Sequence, residues 1–122
     1  MLGYTTVGTN NFEKAKAYYG ALLAELGGRP VFGSDRIQFY GNGGQGGMVA
    51  VCKPYDGESA TTGNGVMLAL SAPDRETVDK VYKKALELGS PDEGAPGARL
   101  PTFYGAYFRD PDGNKICVFK MG

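Results

Sequence analysis

Cys52 and Cys117 are the two thiols of this 122-residue chain, and the sequence contains no histidine to activate either of them as a nucleophile. Without histidine there is no imidazole proton shuttle near neutral pH and no imidazole metal ligand, so every Ser/Cys–His triad and every His-containing metal site is excluded. The two cysteines show neither a C-x-x-C pair nor the spacing of a disulfide framework, and both read as reduced, buried thiols. Cys117 lies in the apolar run 115–120 (KICVFK), which raises a thiol pKa, so a structural role is expected before a nucleophilic one. The stretch 41–47 (GNGGQGG) has five glycines, but no Lys-Ser/Thr and no helix follow it. It therefore fails both the P-loop and the dinucleotide fingerprint and reads as a hairpin connection. Arg36, Gln38 and Arg109 remain as polar handles for a ligand, and Glu58 as a candidate acid.

The balance of 13 basic against 13 acidic residues leaves a net charge of zero. A nucleic-acid binder or a protein of acidic membrane surfaces needs a basic surplus, so neither partner is expected. With 42% apolar and 21% charged residues the chain has the composition of an ordinary globular protein, and its length suits one domain. No leader-like segment and no apolar run long enough to span a bilayer are seen, which gives a cytoplasmic expectation.

The elements that would position these residues follow from the hydrophobic pattern. Residues 2–9 read as a strand. A helix follows, capped by Asn10 with Glu13 in the capping-box position; Phe12, Ala15, Tyr19, Leu22 and Leu26 form its apolar face, and Gly27-Gly28 end it. Short strands are expected at 29–32, 36–40 and 48–53, then a polar connection at 56–65. The second half repeats this order. Residues 66–72 form a strand, and Asp74 caps a helix whose face is Val78, Val81, Tyr82, Ala85 and Leu88. Gly89 stops that helix, a poor edge strand lies near 98–100, and strands at 104–109 and 115–120 flank the type I turn Asp110-Pro111-Asp112-Gly113-Asn114. Aligning the helix starts sets Asn10 on Pro73, an offset of 63, and aligning the last strands sets Ala50 on Cys117, an offset of 67. Two copies of a β-α-β-β-β module, about 1–55 and 66–122, are expected within one α+β domain. If the helix-free faces of their curved mixed sheets are set toward one another, they enclose a cavity for a small molecule.

The opening Tyr4-Thr5-Thr6-Val7-Gly8-Thr9-Asn10-Asn11-Phe12-Glu13-Lys14-Ala15-Lys16-Ala17-Tyr18-Tyr19 and the closing Ala106-Tyr107-Phe108-Arg109-Asp110-Pro111-Asp112-Gly113-Asn114-Lys115 resemble the vicinal oxygen chelate superfamily. That group contains glyoxalase I, bleomycin-resistance proteins and extradiol dioxygenases. The resemblance implies the paired-module glyoxalase-like fold, a cavity, and homodimers, for which 103–108 offers an apolar edge. In metal-using members, His or Glu ligands come from four strand positions, which fall here on Tyr4, Ala50, Met67 and Cys117. None is a histidine or a carboxylate, so a degenerate metal site and no cofactor are expected.

Strand alternation then gives the cavity lining. Thr6 accompanies Tyr4, Met48 and Cys52 accompany Ala50, and Ala69 and Ser71 accompany Met67. Ile37 and Phe39 are assigned to the core, which leaves Arg36, Gln38 and Tyr40 for the cavity. The strand 104–109 is apolar on both parities and stays unassigned. Each lining residue has a plainer reading as packing: the tyrosines as hydrogen-bonded core, Met48 and Met67 as filler, the arginines as solvated strand ends. Three functions are compatible with this pattern. The first is a metal-free small-molecule binder of the bleomycin-resistance kind. The second is a lyase, isomerase or dioxygenase-type enzyme using Tyr4, an arginine or Glu58. The third is a dimeric interaction module with a filled core.

Overall fold

The computed structural model describes residues 1–44 and 46–122, so Gln45 of the glycine-rich connection lies outside it. The chain divides into two units, Met1–Thr62 and Gly63–Gly122. The division falls inside the connection expected at 56–65.

In the first unit the chain runs through β1 (Tyr4–Gly8), α1 (Phe12–Ala24), β2 (Arg29–Gly33), β3 (Ile37–Gly41) and β4 (Met48–Cys52). Its sheet has the order β1-β4-β3-β2, with β1 parallel to β4 and the other pairs antiparallel. The cap of α1 is Asn11, one residue later than expected: its Oδ1 accepts the Lys14 N–H at 3.1 Å. Asn10 has a different task. Its side chain donates to the Ala60 carbonyl and accepts the Ala60 N–H at 2.7 Å, which clasps the connection to the first unit. Phe12, Ala15, Tyr18, Tyr19, Leu22 and Leu23 are buried on α1, which packs on β2, β3 and β4. Gly27, at φ +76°, takes the left-handed conformation that ends the helix.

The second unit repeats the order as β5 (Leu68–Ser71), α2 (Arg75–Glu87), β6 (Asp92–Leu100), β7 (Phe103–Arg109) and β8 (Lys115–Met121). Its sheet order is β5-β8-β7-β6, again with the first strand parallel to the last. Asp74 caps α2 by accepting the Thr77 N–H at 2.7 Å, and it stands 63 residues after Asn11, so the two caps are equivalent positions. Val78, Val81 and Ala85 of α2 are fully buried together with Ala106, Phe108, Ile116 and Val118. Asp110 closes the β7–β8 hairpin: its Oδ1 accepts the N–H groups of Asp112 and Asn114, both at 2.9 Å, and its Oδ2 accepts the Asn114 amide. The architecture is α+β, two repeated modules, neither sheet closed into a barrel.

Two expectations are corrected. β6 is nine residues long rather than a short piece near 98–100. Gly94, Pro96 and Gly97 erase the strand pattern in its sequence, yet an edge strand with register shifts accommodates all three. The stretch 103–108 is not an edge, because β7 is paired on one side with β6 and on the other with β8.

Candidate functional site

Alternation fixes what each sheet presents on the side away from its helix. In the first unit, β1 and β4 pair as Tyr4↔Met48, Thr6↔Ala50 and Gly8↔Cys52, so these six share one face. β3 joins them through Ile37↔Cys52 and Phe39↔Ala50. The Tyr4 ring meets Phe39 edge-on at 5.0 Å between centroids, and Phe32 stacks on Phe39 at 4.4 Å. The helix-free face is thus an aromatic and thioether surface without a formal charge.

That register overturns the expected facing of β3. Phe39 and Ile37, assigned to the core, stand on the Tyr4 face, while Gln38 and Tyr40 stand on the α1 side. The Tyr40 hydroxyl donates to the Lys16 carbonyl of α1 at 3.0 Å, and burial pushes its pKa up. Gln38 donates its amide to the carbonyls of Phe32 and Phe39. Arg36 precedes β3, donates to the Lys53 carbonyl at 2.8 Å and lies over the Tyr55 ring. Hydropathy was a poor guide here because a tyrosine satisfies its hydroxyl on a helix carbonyl as readily as in a cavity. A usable signal was the loop: symmetric closure around 41–48 pairs Gly41 with Met48 and therefore Phe39 with Ala50.

In the second unit β5 and β8 pair as Ala69↔Cys117 and Ser71↔Phe119, and β7 joins with Tyr107↔Cys117, Gly105↔Phe119 and Arg109↔Lys115. Met67, just before β5, is exposed. Phe103 stacks on Phe119 with centroids 5.3 Å apart. The undetermined strand is thereby assigned: Phe103, Tyr107 and Arg109 share the Cys117 side, whereas Tyr104 points to α2 and donates to Asp79 at 2.7 Å. At the centre the Tyr107 hydroxyl bonds the Cys117 sulfur, which is almost fully buried. Burial pushes the Cys117 thiol up, while the Tyr107 hydrogen bond and the positive charges of Arg99 and Lys115 act the other way. Burial also raises Tyr107, with the neighbouring Cys117 adding to it.

Arg99 and Lys115 escaped the sequence reading. Their charged groups lie 5.3 and 5.6 Å from the centroid of the Tyr107 ring. Lys115 is the last residue of the closing motif, a readable position; Arg99 sits in the strand whose pattern glycine and proline erase.

Tyr4, Ala50, Met67 and Cys117 bear a phenol, a methyl, a thioether and a thiol. Among the described residues no three His, Cys, Asp or Glu side chains gather into a group that could hold a metal ion. Glu58 is exposed in the connection, where its N–H donates to Asp56. A shallow cleft of about 600 Å³ at the start of α1 is lined by Asn10, Asn11, Phe12, Glu13, Lys16, Asp35 and Lys53. It shares no residue with either helix-free face, and its two lysines are matched by two carboxylates. No helix is long and apolar enough to cross a membrane among the described residues.

Residues 1–118 match the family model described as Glyoxalase/Bleomycin resistance protein/Dioxygenase superfamily. A glyoxalase/bleomycin resistance protein from Albidiferax ferrireducens T118 is 36% identical, with a TM-score of 0.92 over 100% of this chain and 99% of that one. A glyoxalase/bleomycin resistance protein/dioxygenase family enzyme from Burkholderia phytofirmans PsJN has a TM-score of 0.80 at 19% identity, covering 98% of each chain. A glyoxalase-related enzyme from Fulvimarina pelagi has a TM-score of 0.77 at 21% identity, covering 98% of this chain and 87% of that one. The last two likenesses concern the fold alone. No curated protein matches the chain.

Proposed function

Because the chain belongs to the glyoxalase/bleomycin resistance protein/dioxygenase superfamily, we propose that it binds a small molecule on the helix-free faces of its sheets without a metal ion. One observation carries this reading: the donor set at Tyr4, Ala50, Met67 and Cys117 does not fit a catalytic divalent metal. Alanine has no donor atom, and a thioether is too soft for Mg, Mn or Fe. A tyrosine ligates as a phenolate, which forms in water only near pH 10. One buried thiol held neutral by its surroundings is left, and a single ligand does not hold a catalytic ion.

What remains is a surface suited to an aromatic or amphipathic ligand. Tyr4, Phe32, Phe39 and Met48 offer π-faces and a polarizable sulfur, and Phe103, Phe119 and Tyr107 do so in the second unit. We also expect two copies to associate. The apolar edge for this is β2, whose Val31 and Phe32 are 54% and 57% exposed. Light scattering that returns a monodisperse monomer removes that part of the proposal.

The deciding experiment loads the purified protein with excess Ni, Mn, Zn and Fe, desalts it and measures bound metal by mass spectrometry. Less than about a tenth of an equivalent of each is expected, given the donor chemistry. A thermal-shift screen of aromatic and amphipathic compounds on the same sample should then find ligands that raise the melting temperature by mass action. One equivalent of tightly held metal sinks the metal-free reading.

A further inference from the structure

Two cations beside Tyr107, Arg99 and Lys115, have no carboxylate within ion-pair distance among the described residues. Arg99 donates through Nη1 to the Gly97 carbonyl at 2.9 Å and through Nη2 to the Ala95 carbonyl at 2.7 Å. Its guanidinium is thereby held against the Tyr107 ring, and among the described residues three of its five N–H donors are unspent. The backbone of β6 makes room for it. A Cβ at Gly94 would come within 3.2 Å of Nη2, and one at Gly97 within 3.0 Å of Nη1. Lys115 approaches the same ring on a flexible stem. Neither has a carboxylate partner among the described residues, whereas the neighbouring Arg109 is engaged by Glu93 at 3.3 Å. Holding a guanidinium in place without neutralising it is the arrangement that binds an anion from outside the chain.

We propose that Arg99 and Lys115, beside Tyr107 on the helix-free face of the second sheet, form the binding site for the oxyanion of an organic acid. This rests on the small-molecule reading above and names the class of ligand. Arg99 supplies the fixed fork, Lys115 the mobile point charge, and the Phe103–Phe119 stack on the same face supplies a surface for the apolar body. A Cβ at Gly105 would meet the Phe103 ring at 2.9 Å, so glycine is what lets that ring lie flat. The shared chemistry is an oxyanion on an apolar body, available as a carboxylate or as a phosphate ester.

The test is an amide-resolved NMR titration of the full chain with phenylacetate, phenyl phosphate and the neutral analogue phenylacetamide. At least one anion should shift the resonances of Arg99, Tyr107, Lys115 and Cys117 and weaken with added salt. Phenylacetamide should bind about tenfold more weakly or worse, the scale of a lost charge-assisted contact. The better anion identifies carboxylate or phosphoryl recognition. R99Q and K115Q, each verified as folded by its own spectrum, should each weaken the anion by about tenfold. The proposal is overturned if neither anion binds below about 10 mM, if the shifts gather in the first unit, or if both folded variants bind as the parent does. Equal binding of phenylacetamide also overturns it while leaving small-molecule binding intact, so the two readings fail separately.

Discussion

Cys117 is almost fully buried on the helix-free face of the second sheet, and its surroundings set opposing tendencies on one thiol. Burial raises its pKa, and the Tyr107 hydrogen bond with the charges of Arg99 and Lys115 brings it part of the way back. The net direction is upward, so the thiol is neutral near pH 7 and a poor nucleophile. The Tyr107 hydroxyl stabilises the thiolate it donates to, so Y107F is expected to move the apparent pKa of Cys117 further up. The measurement is the pH profile of iodoacetamide alkylation at the Cys117 peptide, read by mass spectrometry. The midpoint of that profile is insensitive to a change in access, which alters only the plateau rate. A midpoint that stays or falls in Y107F would show that this hydrogen bond does not tune the thiol.

At the scale of elements, small local devices decide where strands and helices begin. N11A removes the side-chain acceptor of the Lys14 N–H and should cost about 1 kcal/mol, measured by urea unfolding. D110A strips the β7–β8 turn of a buried acceptor for the N–H groups of Asp112 and Asn114, and about 2–3 kcal/mol of destabilisation is expected. If D110A unfolds at the parent midpoint, the turn is held by Pro111 and Gly113 rather than by the carboxylate. The sequence was legible at this scale wherever a local rule had one answer: the caps within one residue, Gly27 and Gly89 as helix stops, the Asp110 turn. It was not legible where two outcomes satisfy the same rule. On β3, Phe39 and Tyr40 are both apolar enough for a core, and only the β4 register decides that Tyr40 reaches the Lys16 carbonyl. On β6, Gly94, Pro96 and Gly97 hide a nine-residue strand and, with it, the arginine that they accommodate.

At the scale of the molecule, the duplication was readable because the helix starts Asn10 and Pro73 align at an offset of 63, and the caps Asn11 and Asp74 of the structure keep that spacing. The site was readable only as four positions, Tyr4, Ala50, Met67 and Cys117, none of them a histidine or a carboxylate, and such a set carries no motif of what it binds instead. The same composition has a consequence for stability, because Tyr40, Tyr82, Tyr104, Tyr107 and Cys117 all hold their protons more tightly when folded. Their reference values are 10.0 for tyrosine and 9.0 for cysteine. The unfolded chain thus releases these protons first as pH rises, binds fewer of them than the native state, and is favoured. Stability from this source is fully present below about pH 8, begins to fall near pH 9, and is lost as pH climbs through the raised folded values. Thermal melts followed by circular dichroism from pH 7 to 11 should show a plateau and then a steady drop in Tm. Y40F removes one of the raised groups along with its bond to Lys16, so it should melt lower than the parent at pH 7, by about 1 kcal/mol of stability, and lose less between pH 9 and 11. Parallel curves for parent and Y40F would mean that Tyr40 ionises no later in the folded chain than in the unfolded one, and its burial would then carry no share of the alkaline loss.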